Sequence, residues 1–250
     1  RDFHTIQTVE TQFGDNGSEL NAGYGSIQNG RLYLALTGNL ENNFNKLEIF
    51  IDSVAGGENL LTGVPGNDGS GVMAGMRFDA GFEADFHIIV RRGNDGLSHR
   101  LDVDFAQLGT QNFSFYGNVF GGTNTGVGVT GTGLNTSPIQ VAYDNSNALG
   151  VLGGCNAADP VAAMAVTTGL ELSIALADLG LPAGPVRVCA FVNGSNHNFA
   201  SNQFLGGLVA PQCNLGGDGA GGFTGTLGFD LGAFAGDQFF TVSPCTVGTP

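Results

Sequence analysis

The sequence is poor in the residues on which several protein functions depend. Among its 250 residues there is no tryptophan, Lys46 is the only lysine, and charged residues make up 12%. The 22 acidic residues outnumber the 8 basic ones, which gives a formal net charge of -14 at pH 7. An acidic surface repels phosphate backbones and anionic headgroups, so we predict that neither nucleic acid nor an anionic membrane is a partner.

The sequence also has no long apolar run and no catalytic motif. No run approaches the ~18 residues that a membrane-spanning helix requires. A Gly-x-Ser-x-Gly turn, a cysteine–histidine arrangement and a phosphate-binding glycine loop before a helix are all missing. We therefore predict a chain that is not an enzyme and has no membrane span. Because it begins at Arg1 and carries no signal-peptide pattern, we interpret it as mature or trimmed.

Glycine and apolar residues are abundant. The chain contains 43 glycines without a Gly-X-Y period, which excludes collagen, and its hydrophobic content of 42% is too high for a disordered chain. Glycine at this density is typical of turns and bulges between many short strands. A chain of 250 residues can bury one large core, so we predict a single domain over residues 1–250.

Residues 31–52 show the clearest strand pattern. The alternating apolar positions are Leu32, Leu34 and Leu36 in one run and Leu47, Ile49 and Ile51 in the next. Period-2 alternation is typical of strands with one apolar face. We predict an antiparallel pair joined by a loop over residues 38–45, with a second layer on its apolar face. The other face, which carries Tyr33, Glu48 and Phe50, is expected to be partly wet.

Similar patterns continue along the chain. The sequence GNDG at 93–96 predicts a hairpin between strands over 81–92 and 97–108. Residues 169–182 are predicted to form a strand that bends into a helical turn, and 161–166 hold the only other helical content. Further strands are predicted over residues 112–120, 138–146, 186–194, 201–208 and 237–244. About ten short strands with very little helix predict an all-β fold, a two-sheet antiparallel β-sandwich like a jelly roll.

Residues 2–13 are β-branched and aromatic and contain no glycine, which predicts one strand. Neither of its faces is strongly apolar, as is common for a strand at the edge of a sheet. Such a strand lies either at the edge of its own sheet or adds to the sheet of a neighbouring subunit. In the second case we expect residues 237–244 to be the acceptor edge.

Two segments together resemble a known group of proteins. LYLALTGNL…NKLEIFID (32–52) and GLELSIALADLGLP (169–182) are similar to segments of secreted β-sandwiches that include family 9 carbohydrate-binding modules and DOMON-like domains. With AFVNGS (190–195) and the closing DQFF (237–240), the chain also resembles glycine-rich exported proteins of planctomycete-type bacteria. The resemblance implies a two-sheet jelly roll, an extracellular or cell-surface location and, in some members, calcium. The missing tryptophan departs from the sugar-binding members, whose platforms stack sugar rings on aromatic faces.

One loop collects oxygen ligands after a predicted strand. Asp52, Glu58, Asn67 and Asp68 lie within a segment rich in glycine. Calcium takes six to eight oxygen ligands from such side chains and from backbone carbonyls. The segment therefore predicts either a calcium site or an ordinary solvated turn, and its spacing is not that of an EF-hand.

Four cysteines occur, at Cys155, Cys189, Cys213 and Cys245. None forms a Cys-x-x-Cys pair or has a histidine at zinc spacing. We predict two disulfides in an exported protein, with buried free thiols as the alternative. Three connectivities are open.

Two further groups are weighed as sites. Asp102 and Asp104 share one face of a predicted strand, where we expect two solvated charges rather than a glycosidase pair. His87 and His99 could face each other across the 93–96 turn, although isolated surface histidines are the commoner case.

The leading functional hypothesis is an exported, non-enzymatic structural protein of a cell surface or extracellular matrix, self-assembling into filaments by β-strand addition. The alternative is a carbohydrate-binding module or a calcium-dependent adhesion module. A partner polysaccharide would need an exposed line of aromatic residues, for which Phe113, Phe115 and Tyr116 are the candidates.

Overall fold

The computed structural model describes residues 2–94, 96, 99–122 and 124–244. Two antiparallel sheets pack face to face, which confirms the all-β sandwich with very little helix. The strands are β1 (Asp2–Ile6), β2 (Glu19–Gln28), β3 (Arg31–Asn39), β4 (Lys46–Asp52), β5 (Phe86–Asn94), β6 (His99–Gln107), β7 (Asn112–Gly121), β8 (Thr125–Val129), β9 (Gln140–Asp144), β10 (Gly169–Ala175), β11 (Val186–Asn193), β12 (Ala200–Leu205) and β13 (Phe240–Val242). The single α-helix of the described residues is α1 (Pro160–Met164).

The two sheets differ in size and in order. The six-stranded sheet runs β1-β2-β3-β10-β9-β8, and every neighbouring pair in it is antiparallel. The larger sheet runs β12-β11-β4-β5-β6-β7, and β13 pairs with the part of β11 that β12 leaves free. We call them the six-stranded and the seven-stranded sheet.

The main core lies between the two sheets. Alternating side chains of β3 and β10 meet those of β4, β5, β6 and β11 in one cluster of buried residues. The leucines and isoleucines that define the pattern over residues 31–52 all belong to it. Their burial follows directly from the period-2 alternation, because successive side chains of a strand point to opposite faces.

The outer face of the seven-stranded sheet is covered by a second apolar layer. Two long segments, 53–85 and 206–239, fold over this face and supply most of the layer. From the sheet it takes Phe50, Ala106, Cys189, Phe191 and Phe204, and from the two segments residues such as Leu61, Met76, Phe78, Phe82, Leu215, Leu227 and Phe229. Phe50 and Glu48 are therefore fully buried, and the prediction that their face is partly wet was wrong.

The predicted hairpin over residues 31–52 was also wrong. Strand β3 pairs with β2 and β10 in one sheet, whereas β4 pairs with β5 and β11 in the other. The segment between them crosses from sheet to sheet. Two strands with apolar faces can bury those faces against each other across a sandwich as well as side by side, and the alternation alone does not distinguish the two arrangements.

The strand that forms a hairpin with β3 is β2, which was not predicted from the sequence. Asn29 and Gly30 join the two strands, and both have positive φ, as a tight hairpin turn requires. Gly23 and Gly25 remove two side chains from the inner face of β2, on which Ile27 remains. A Cβ atom at Gly25 would lie 2.5 Å from Val242, so the glycines make room for β13. The same glycines hide the strand from a hydropathy pattern.

The N-terminal segment is only partly a strand. β1 ends at Ile6 and lies at the edge of the six-stranded sheet. Beyond it the chain crosses to the seven-stranded sheet, where Gln7 Nε2 donates to Gln203 Oε1 and Thr8 Oγ1 donates to the carbonyl of Leu208. Residues 7–12 therefore belong to the folded body, so a chain without residues 1–13 would lose part of its core.

Other predictions were confirmed. β5 and β6 form the hairpin expected around the 93–96 turn. Residues 95, 97 and 98 between the two strands lie outside the described part. β10 bends into a short 3₁₀ turn over Leu176–Leu179, and α1 lies at the start of the predicted helical segment. Within the described residues, no helix is long and apolar enough to cross a membrane.

The cysteines form one disulfide in the described part of the chain. Cys155 and Cys213 are bonded, with 4.7 Å between their Cα atoms, and link the segment before α1 to the 206–239 segment. Cys189 is a free thiol buried in the second apolar layer, which corrects the expectation that it pairs. Cys245 lies outside the described residues.

Candidate functional site

Within the described residues, the outer face of the six-stranded sheet has no covering layer like that of the seven-stranded sheet. We call it the open face. One row of directly paired residues crosses all six strands on this side: Phe3, Tyr24, Ala35, Glu171, Ala142 and Val127. A row of six strands spans about 24 Å at the usual ~4.8 Å spacing between strands. The open face is therefore a continuous surface from one edge of the sheet to the other.

The open face is grooved rather than flat. Three neighbouring cavities of about 420, 440 and 510 Å³ lie on it, and Glu171 lines all three. Ala35 and Ala142 on either side of Glu171 are small, so the row is low on both sides of that carboxylate. Tyr24 lines one cavity and Tyr33 another. The face thus combines a carboxylate, two tyrosines and short side chains along a shallow channel.

The aromatic end of the row is held in place by contacts within the sheet and with α1. The Phe3 and Tyr24 rings meet edge to face with centroids 5.7 Å apart, and the Tyr24 hydroxyl lies 3.6 Å from the Met164 sulfur. In the next row, Ser173 accepts two hydrogen bonds from Arg31, at its Oγ from Nε and at its carbonyl from Nη2, each at 2.7 Å. These side chains are positioned before any ligand arrives.

The edge strand β8 leaves polar backbone groups open. Asn145 N–H donates to the Asn124 carbonyl and Thr130 N–H donates to the Ile139 carbonyl. These two hydrogen bonds lie just before and just after the paired residues of β8 and β9. Because such bonds alternate along an antiparallel strand, Thr125, Val127 and Val129 direct their N–H and C=O groups away from β9. Val127 and Val129 are also 77% and 59% exposed. This edge therefore offers both hydrogen-bonding groups and apolar surface.

A chain of ionisable groups begins beneath the second apolar layer and ends at Asp68, which is exposed. Its centre is Glu48, which sits on β4 and is fully buried. Its Oε2 lies 2.9 Å from His87 Nε2 and its Oε1 lies 2.7 Å from His197 Nδ1. The other nitrogen of His197 lies 3.1 Å from Asp68 Oδ2. We call these four residues the buried relay.

The protonation states of the relay follow from its contacts. Burial disfavours the charge on Glu48, but the two histidines outweigh it and the pKa of Glu48 is lowered. Burial likewise disfavours protonated His197, yet Glu48 and Asp68 raise the pKa of His197 to about 9. Burial dominates at His87 and lowers its pKa. At pH 7 the relay is therefore a carboxylate between a cationic His197 and a neutral His87 that stacks on Phe50 at 4.1 Å.

Asp68 joins the relay to a second group of charges. Lys46 Nζ lies 2.5 Å from its Oδ2, and Arg91 Nη1 lies 3.1 Å from the same oxygen. Burial would raise the pKa of Asp68, but the bonds from His197 and Lys46 and the charge of Arg91 bring it down to about 2. Arg91 also pairs with Asp104, where burial raises the pKa to about 6. The charges compensate each other, with Lys46, Arg91 and Asp104 buried and Asp68 exposed at the surface.

The four predicted calcium ligands do not converge. Asp52 and Asp68 lie beside opposite ends of β4, where Asp52 pairs with Arg187 at 3.0 Å. Both oxygens of Glu58 are occupied by Thr62. Asn67 is buried, and neither polar atom of its side chain has a hydrogen-bond partner. Three cations around Asp68 fit a divalent cation poorly, and no metal-sized cluster of acidic, histidine or cysteine side chains occurs in the described ranges. Calcium stays a prediction.

Asp102 and Asp104 were expected to be solvated charges, and this prediction was wrong. Both are buried, Asp104 against Arg91, while Asp102 Oδ1 accepts from the Asn118 N–H. The pairing of His87 with His99 was wrong as well, because His87 lies opposite Ala106 and His99 opposite Asn94.

The predicted aromatic line divides between two surfaces. Phe113 and Phe115 are exposed on β7, and the Arg91 guanidinium lies 5.1 Å from the Phe115 ring centre. Tyr116 points the other way, packs against the main core and bonds to Asn135. Tyr24 and Tyr33, which line the open face, were missed. Only the register of β2, β3 and β10 places them together, and that register was not predicted.

No protein family, curated protein or solved structure matches this chain. The sites above therefore rest on the geometry of this molecule.

Proposed function

We propose that the chain is an exported, non-enzymatic structural protein of a cell surface or extracellular matrix, and that it self-associates by β-strand addition. The observation that carries this proposal is the bare edge of β8. Its sequence, TGVGV, contains no charge and no proline, the devices that usually protect an edge from pairing. Its outward N–H and C=O groups can form hydrogen bonds with another strand, and such pairing would remove the exposed valines from water.

The contrast with the other sheet supports the same proposal. At the β12 edge of the seven-stranded sheet, residues 7–12 and 206–217 cover the strand, and every residue of β12 is buried. The fold therefore covers the β12 edge of one sheet and leaves the β8 edge of the other open. The disulfide between Cys155 and Cys213 fits export, because such bonds persist in oxidising compartments.

Sedimentation velocity over a range of protein concentrations tests the proposal, with negative-stain electron microscopy of the same samples. We expect species larger than the monomer that grow with concentration, and filaments or sheets in the images. A chelator is added in parallel to test the calcium prediction. Monomers at all concentrations, with and without chelator, would contradict the structural role.

A second candidate function, binding of an extracellular polysaccharide, is favoured by the groove of the open face. Tyr24 and Tyr33 offer aromatic rings, and Glu171 lies beside them in the groove. Pull-down on insoluble and soluble glycans tests it. Tyr24→Ala with Tyr33→Ala should abolish retention, whereas Phe113→Ala on β7 should not. Equal retention of both variants would assign any glycan binding to another surface.

A further inference from the structure

We propose that copies of this chain join head to tail, with the edge strand β8 of one copy pairing with the edge strand β1 of the next. The six-stranded sheet would then continue from copy to copy. This inference rests on the self-association proposed above and names its surface. It replaces the acceptor edge expected at residues 237–244. In the structure β13 already packs beside β1 of its own chain, where the His4 and Phe240 rings stack at 5.9 Å.

Strand direction favours this arrangement. All six strands of the sheet alternate in direction, so its two outermost strands, β1 and β8, run opposite to each other. A second copy placed alongside in the same orientation therefore brings its β1 antiparallel to β8. No strand has to be reversed or released, and the antiparallel order of the sheet is kept across the junction.

The exposed side chains at the two edges also match. Phe3 on β1 and Val127 on β8 are the two ends of the same row on the open face, and they are 46% and 77% exposed. Pairing of Val127 with Phe3 of the next copy extends this row without an offset and buries both side chains on one face. Aromatic and β-branched residues form favourable cross-strand pairs.

The edges are comparable in length, since β1 and β8 each contain five residues. The register of β1 against β2 shifts between Phe3 and Thr5, and this irregularity limits regular pairing to the neighbourhood of Phe3. The contact is thus short and centred on the Phe3–Val127 pair. Because the same two surfaces recur on every copy, the assembly is open and grows into a filament rather than closing as a dimer.

The geometry gives the filament a repeat. Six strands per copy at ~4.8 Å advance the sheet by about 29 Å. In electron micrographs of filaments, this axial repeat is what we expect along the direction of strand stacking.

Disulfide trapping tests the contact directly. In the variant Phe3→Cys with Val127→Cys, the two cysteines of one chain are five strand spacings apart, about 24 Å, which is far beyond the reach of a disulfide. Oxidation can therefore join them only between copies. The matched control, Phe3→Cys with Ala142→Cys, moves one cysteine a single strand inward along the same row. The unsubstituted chain measures any cross-linking by the natural cysteines.

The expected result is a ladder of covalent multimers from the first variant alone, on non-reducing gels, which collapses to monomer on reduction. Covalent dimers from Val127→Cys as a single substitution, with no longer products, would overturn the proposal in favour of symmetric β8–β8 pairing. Multimers in sedimentation without any ladder would overturn the edge assignment and leave the structural role standing. Monomers in sedimentation would overturn both.

Discussion

The outer faces of the two sheets differ, because one is covered by further segments of the chain and the other is exposed. The seven-stranded sheet, apart from its exposed edge strand β7, is buried on both sides, by the main core and by the 53–85 and 206–239 segments. The six-stranded sheet is buried on one side and exposes a groove and a bare edge on the other. The two segments, which make up about a quarter of the chain, cover the outer face of the seven-stranded sheet. The difference shows that leaving the other face uncovered is a property of the fold rather than a shortage of residues.

The covered face carries charge, and the open face carries little. Glu48 and Glu171 both stand near the middle of a strand on an outward face. Glu48 is enclosed with His87 and His197, whereas Glu171 is exposed. A buried ion pair contributes little net stability when intact but is costly to break from one side, because the remaining partner keeps an uncompensated charge. The covered sheet should therefore be the sensitive one.

The largest effect is expected from Glu48→Gln. The substitution keeps the size of the side chain but leaves cationic His197 in the second apolar layer without its principal counter-charge. Breaking a buried pair from one side typically costs about 3 to 5 kcal/mol in unfolding free energy. Urea titration of both variants measures the difference.

The control for that comparison is Glu171→Gln on the open face, where surface substitutions usually change the unfolding free energy by less than ~0.5 kcal/mol. Equal losses in the two variants would remove the distinction between a covered and an open sheet.

A smaller, pH-dependent effect should follow from the buried relay. The folded-state pKa of His197, about 9, lies above its ordinary value of 6.5. Stability from this group is therefore complete below pH 6.5 and is lost as the pH rises through about 9. The stability contribution of Asp68 depends on pH in the opposite direction. Its pKa is lowered from 3.8 to about 2, so the contribution is complete above pH 3.8 and is lost as the pH falls through about 2. Unfolding free energies at pH 6 and pH 9.5 give the size of the first term.

The variant His197→Gln identifies the source of that decline. It should be less stable than the natural chain at pH 6 and show a flatter dependence between pH 6 and 9.5. An unchanged slope in this variant would mean that the alkaline loss of stability arises elsewhere.

The smallest effect on folding is expected from Val127→Lys at the open edge. The side chain is exposed, so the unfolding free energy should change by no more than ~0.5 kcal/mol. Association should nevertheless be lost, because a lysine on an edge strand opposes pairing with another sheet. Sedimentation of the variant beside Val161→Lys, an exposed valine of α1, provides the comparison. Undiminished association of Val127→Lys would place the interface elsewhere.

Sequence patterns predicted the class of the fold and much of the core, but not which strands pair. The alternation over residues 31–52 identified six core positions, since burial on one face leaves a local signal. It did not show that β3 and β4 lie in different sheets, because pairing depends on partners distant in the chain. β2 was missed although Asn29-Gly30 is a strong turn signal, since Gly23 and Gly25 replace the apolar side chains that would mark its inner face.

The candidate sites were harder to predict than the fold. The relay joins Glu48, Asp68, His87 and His197, which are up to 149 residues apart, so no local motif exists. Its burial depends on the 53–85 segment, which reads as a polar loop yet contributes the apolar residues Leu61, Met73 and Phe78 to the second layer. The tyrosines of the open face likewise become neighbours only through the register of the sheet.

Hydrogen exchange of backbone amides, measured in dilute and in concentrated protein, tests the central claim that the six-stranded sheet associates through its bare edge. The amides of Thr125, Val127 and Val129 have no partner strand on their open side in the described part of the chain and should exchange rapidly in dilute protein. On concentration their exchange should slow, while that of Ile49 within the covered sheet should stay unchanged. Equally rapid exchange at Val127 in dilute and in assembled protein would contradict the account.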